Sequence, residues 1–118
     1  MHNPTGTRVE VDEHQHFTSA RLTTLRLYPE GVRLGFDLER YVALCKKWHV
    51  QADRAFAHRS APGFGAGGRT RQRAYYDALR DLATPAMGHP PILRIDAPMG
   101  NGRVAYHERR SDLLRALR

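Results

Sequence analysis

The chain has 118 residues, with 19 Lys+Arg against 12 Asp+Glu, a formal net charge of +7, 41% apolar residues and 26% charged residues. That balance suits one folded basic domain over residues 1–118 rather than a disordered tail. No run of about 18 apolar residues is present to cross a membrane, the opening MHNPTGTRVEVDEHQH lacks the apolar centre of a secretion signal, and a single cysteine, Cys45, excludes an internal disulfide framework and a multi-cysteine metal site. A cytoplasmic protein without membrane association or cofactor is the expectation.

Thr7 to Asp12 alternates with period two and predicts a short edge strand within residues 1–19. Over 22–36, Leu25 and Leu27 alternate with Arg26 and Tyr28, and Val32, Leu34 and Phe36 alternate with Arg33 and Gly35. Between them Tyr28-Pro29-Glu30-Gly31 carries the type I turn signature, so the segment predicts a β-hairpin. Asp37 then caps a helix running to about His49. Leu38, Tyr41, Val42, Cys45 and Trp48 form its apolar stripe. Phe36 and Tyr41 fit a hydrophobic staple across the cap. Cys45 lies in the stripe and reads as a core residue rather than a nucleophile. Residues 51–57 can form a second short helix.

HRSAPGFGAGG, residues 58–68, is a glycine-rich loop. A helix from about Thr70 to Ala83 follows, with Tyr75, Ala78, Leu79 and Leu82 as its apolar face. Arg69, Arg73, Tyr76 and Arg80 form a separate stripe. Pro85, Gly88, Pro90 and Pro91 end that helix. Ile92 to Ile95 is strand-like, residues 96–102 form a loop, and 103–107 form a return strand. A last helix spans about 111–117. The order predicts an α+β domain: an N-terminal β-hairpin, two to three helices and a C-terminal strand pair leading into a helix.

The positive charge is concentrated. Residues 1–53 hold seven basic and seven acidic side chains, whereas residues 54–73 hold five arginines and no acid, and residues 103–118 hold five arginines against two acids. Arginine outnumbers lysine 17 to 2. Its planar fork suits phosphate, so an anionic partner is expected: DNA, RNA or nucleotide phosphates. Gly63 to Gly68 matches G-x-G-x-x-G, but the strand that a dinucleotide fingerprint requires does not precede it. What does follow is a helix start with Arg69, Arg71 and Arg73 in its opening turns. Arginines there are unfavourable against the helix dipole unless an anion sits between them. The expected contacts are Arg69, Arg71, Arg73, Arg80, Arg109 and Arg110, with Tyr76 as a stacking surface for an unpaired base.

Two histidine groups also bear on function. His14 and His16 would lie on one side of a strand and offer two ligands to a divalent metal, with no third ligand evident from spacing. His107 with Glu108, beside Arg109 and Arg110, could act as acid and base with a phosphate clamp, which would make the chain a nuclease. A third alternative is an interaction module whose basic face docks an acidic protein.

Residues 91–118 resemble the second half of a ParB/sulfiredoxin-like domain. Pro91-Ile92 opens a strand, a loop runs to Gly102, a second strand spans 103–107, and Glu108-Arg109-Arg110 stands where that family carries its Gly-Glu-Arg-Arg box before a helix. The resemblance implies a role for Glu108, Arg109 and Arg110 in holding nucleotide phosphates. His107 replaces the glycine of the box, and the sulfiredoxin cysteine is absent. The same segment is similar to the end of RelE/HigB-like toxins, which implies metal-independent RNA cleavage. Those toxins begin with helices, whereas this chain begins with a predicted strand.

Overall fold

The computed structural model describes residues 6–57, 59–61, 63–65 and 67–100. Strand β1 (Val9–Asp12) leads through a single 3-10 turn (His14–His16) into helices α1 (Ser19–Arg26), α2 (Leu38–Ala55) and α3 (Arg69–Ala86), and strand β2 (Leu93–Asp96) follows. The two strands pair in parallel, with Val9 opposite Leu93 and Asp12 opposite Asp96. Parallel neighbours need a long crossover, which the three helices supply. The fold is α+β, as expected.

The predicted hairpin over 22–36 does not form. Thr18 caps α1 instead, its side chain accepting from the Arg21 N–H at 3.0 Å. The buried face of that helix is Arg21 and Leu25, spaced i, i+4. Leu27, which the hairpin would have turned inward, is 76% exposed. Beyond α1 the chain does turn, at Pro29–Val32, and then runs extended. Val32, Leu34 and Phe36 pack on the core from this connection. It meets β2 only through Gly35, whose carbonyl accepts from the Arg94 N–H at 3.2 Å.

Helix α2 follows its local signals. Asp37 accepts from the Arg40 N–H at 3.1 Å. The Phe36 and Tyr41 rings meet at 4.5 Å, completing the staple. The separate helix expected over 51–57 is the continuation of α2 to Ala55. Asp53, near its end, accepts from the Ser19 N–H at 2.9 Å and so caps α1 from a neighbouring element. Phe17, Leu25, Tyr28, Tyr41 and Cys45 form the buried core, with Ala78 and Leu82 of α3 against it. Burial pushes the Cys45 thiol up to about 12, so it is inert as a nucleophile. Among the described residues no helix is long and apolar enough to cross a membrane.

Helix α3 starts and ends beyond the predicted limits. Pro85 sits inside its last turn, and the stop comes at Gly88 (φ +83°). The His89 N–H donates to the Thr84 carbonyl and the Gly88 N–H donates to the Pro85 carbonyl, a Schellman closure. Its buried face also differs from the prediction. Ala74, Asp77 and Asp81 face inward, while Tyr75 and Leu79 are 49% and 44% exposed. Two of the inward residues are therefore carboxylates, and they meet arginines from other elements.

Arg94 of β2 is the hub of this ionic layer. It donates through Nε to Asp81 at 2.8 Å, through Nη1 to Asp12 at 3.2 Å and through Nη2 to Asp77 at 3.4 Å. Arg21 of α1 donates to the other Asp81 oxygen at 2.8 Å and to the Tyr28 hydroxyl at 2.7 Å. The Tyr28 hydroxyl donates in turn to Asp81 at 2.6 Å, and that of Tyr41 donates to Asp12 at 2.9 Å. Burial works against the charge on Arg94, but Asp12, Asp81 and Asp77 outweigh it and hold the guanidinium pKa above its ordinary value. Burial also opposes ionisation of Asp77, yet Arg94 and Arg21 hold that carboxyl below its usual range. Strand and helices are thus joined through a guanidinium whose three nitrogens each meet a carboxylate, the kind of pairing under which buried charge is tolerated.

Candidate nucleic-acid interface

The first turns of α3 and the loop before it carry most of the chain's dense arginine block. The approach to it is a tight loop. The Phe64 N–H donates to the Ala61 carbonyl, and the Gly68 N–H donates to that of Gly65. A Cβ at Gly68 would stand 2.5 Å from the Phe64 carbonyl oxygen and 2.7 Å from that of Gly65, so only glycine lets the loop close against the helix start. Of the glycines that resembled a dinucleotide fingerprint, Gly68 serves this packing, and helix α2 precedes them where that motif needs a strand.

Closing the loop brings three rings together. Phe64 lies 5.9 Å from Tyr75, and Tyr75 lies 5.5 Å from Tyr76 in an edge-on arrangement. Tyr76 is 51% exposed, as a stacking surface requires. Tyr75 was expected in the core and instead extends the same aromatic strip. The helix turns it outward because Ala74, Asp77 and Ala78 occupy the inner face.

The arginines around the strip differ in what they meet. Arg69 donates to the Gln72 amide oxygen, and Arg71 donates to the Phe64 carbonyl. Arg73 donates to His16 Nε2 at 2.9 Å. Arg59 and Arg73 lie over the Phe56 ring, at 5.6 and 5.8 Å from its centre. Among the described residues Arg59, Arg69 and Arg73 meet no carboxylate. Arg80 does: it bridges Asp77 at 2.7 Å and Glu10 at 3.3 Å. These ion pairs tie it to β1 and to its own helix. The N-cap of α3 is Gly68, which has no side chain to accept from the first turn, and no acid lies in that turn. The positive end of the helix dipole and the arginines therefore add to one another.

His14 and His16 lie on the 3-10 turn rather than on a strand. Their rings separate, His14 lying 6.0 Å from Trp48 and His16 lying against Arg73 and Asp12. Among the described residues no three His, Cys, Asp or Glu side chains converge on a metal position. Burial, ahead of the opposing attraction of Asp12, lowers the His16 pKa, and Arg73 lowers it further. His16 is therefore neutral in the folded chain and accepts at Nε2. The unfolded chain takes up a proton near pH 6.5 that the folded chain refuses, so folding stability falls as the pH drops below that point. Asp77, lowered in the fold, adds a further loss in more acidic solution. Thermal melts between pH 7.5 and 5 should show a falling midpoint, with a shallower fall for His16→Gln; a flat wild-type profile would contradict this assignment.

His107, Glu108, Arg109 and Arg110, the return strand 103–107 and the last helix lie outside the described residues. Sequence reasoning missed Arg59, Phe56 and Tyr75 on this face. Arg59 stood in the acid-free block and was the one available signal. No family model, curated protein or solved structure matches the chain; the chemistry of this face is read from its own geometry.

Proposed function

We propose that the chain binds single-stranded nucleic acid on the face formed by α3 and the loop before it. The observation that carries this reading is the strip of exposed Tyr75 and Tyr76 with half-buried Phe64, flanked by Arg59, Arg69 and Arg73, which meet no carboxylate among the described residues. Exposed rings give bases a stacking platform that tolerates any sequence, and guanidinium groups beside them neutralise the phosphates. A duplex hides the faces of its bases, so the aromatic strip favours the single strand.

Fluorescence anisotropy of a labelled oligonucleotide at two salt concentrations tests this. Affinity is expected to fall steeply with salt. The change Tyr75→Ala with Tyr76→Ala should weaken binding by about 1–3 kcal/mol for each base that loses its platform while leaving the salt dependence in place. Absence of binding at low salt, or binding indifferent to salt, overturns the reading.

A further inference from the structure

A second surface lies beside that face. Glu13, His14, Trp48, Gln51 and Met99 line a cleft of about 310 Å³, at the lower end of the range of small-ligand sites. The 3-10 turn separates the two surfaces: Glu13 and His14 line the cleft, while Gln15 and His16 line a narrow gap with Arg69 and Arg73. Helix α2 spans them as well, with Gln51 in the cleft and its cap Phe56 beneath Arg59 and Arg73.

The polar groups of the cleft are unusually unoccupied. The Trp48 indole N–H is buried and has no acceptor among the described residues, so the indole meets the cleft through its ring rather than its N–H. The Glu13 side chain forms no ion pair or hydrogen bond among the described residues, and its Oε2 lies beside Gly100 at the cleft wall. A cation is a poor occupant, because the Lys47 ammonium already lies 5.5 Å from the Trp48 ring centre and the chain as a whole is basic. What the cleft offers is a flat ring, a carboxylate with two acceptor oxygens, and the Gln51 amide as donor.

We infer that the cleft receives a guanine base. Among the four bases only guanine presents two adjacent donors, N1–H and N2–H, for one carboxylate, with the O6 acceptor next to them for the Gln51 amide. Glu13 would take the donor pair, and the Trp48 ring would take the base's face. Delivery of that base by a bound strand rests on the function proposed above; recognition of the base itself does not.

Trp48 is the chain's single tryptophan, so one indole N–H signal in a nitrogen-15 correlation spectrum reports this cleft alone. Guanosine, adenosine, cytidine and uridine, which carry no phosphate, serve as probes on the full chain. Guanosine should shift the signal, with the other three at least about tenfold weaker, the discrimination of one good bidentate pair. Glu13→Gln should bring guanosine down to their level. Equal shifts by all four nucleosides, or an unmoved signal, overturn the inference, and if oligonucleotides still bind, the cationic face stands without it. A guanosine shift in a chain that fails to bind oligonucleotides supports the cleft and removes the neighbouring reading.

Discussion

Arg94→Met is expected to lose about 3–5 kcal/mol of folding stability, the cost of leaving buried carboxylates without their counter-charge. Arg94 is 4% exposed and faces Asp12, Asp77 and Asp81, which are themselves 2%, 3% and 2% exposed. Removing the guanidinium strands three acids that, among the described residues, retain only Arg21, the Tyr28 and Tyr41 hydroxyls, the rim contact of Arg80 with Asp77 and the neutral His16 beside Asp12. Domains of this size hold about 5–15 kcal/mol in total, so the variant should be largely unfolded at mild denaturant. Arg94→Lys keeps the charge but lacks the three-way fork, and should fall between the two. Urea unfolding followed by circular dichroism checks the series. A loss below about 1 kcal/mol for Arg94→Met would mean that the ionic layer contributes little to the fold.

The second large effect is steric. A Cβ at Gly35 would stand 2.2 Å from the Ile92 carbonyl oxygen, 2.7 Å from its carbon and 3.0 Å from the Leu93 Cα. All three are backbone atoms, so no rotamer change relieves the clash, and β2 must move. That movement breaks the hydrogen bond from the Arg94 N–H to the Gly35 carbonyl and displaces the hub of the ionic layer at its base. Gly35→Ala should therefore cost about 3 kcal/mol, the upper end of the usual penalty for overpacking. Differential scanning calorimetry should show a clear fall in melting temperature, and an unchanged midpoint would contradict the close approach. Gly31, with nothing within 4 Å of its Cβ position, provides the comparison: the only strain there is its φ of +77°.

What could be read from the sequence depended on whether the deciding contacts were local. The cap at Asp37, the staple of Phe36 on Tyr41 and the stripe through Cys45 lie within a few turns of one another, and α2 formed as those signals dictate. The segment 22–36 was misread because its partners are distant. Arg21 occupies an inward position that looks polar until Asp81, sixty residues away, is placed opposite it. The same omission rotated the predicted face of α3. The predicted apolar face took in Tyr75 and Leu79 and left out Asp77 and Asp81, which are the residues that turn inward. A signal was present in the chain: Asp77 and Asp81 stand at helical spacing on the face of Ala74 and Ala78, and Arg94 interrupts the apolar run Ile92-Leu93-Ile95. Charges of opposite sign in the middle of two apolar surfaces are costly unless they meet.

The candidate interface was legible in its charge and only partly in its shape. The acid-free arginine block was plain from composition, and Arg69, Arg73 and Tyr76 lie on the proposed face as expected. Arg80, on the same stripe, is paired with Asp77 along the helix and with Glu10 across from it, which no local pattern shows. The aromatic strip depends on the loop folding Phe64 back onto Tyr75, which no local pattern announces.

The proposed face is tested most directly by comparing salt dependence between the wild type and the double variant Arg59→Gln with Arg69→Gln. Both side chains are exposed, and neither belongs to the ionic layer, so the fold should survive. For a single strand, each phosphate contact contributes about 0.7 to the slope of log affinity against log salt. The double variant should bind more weakly, with a slope shallower by about 1.4. Identical affinity and slope in the two proteins would show that nucleic acid, if bound at all, is held elsewhere on the chain.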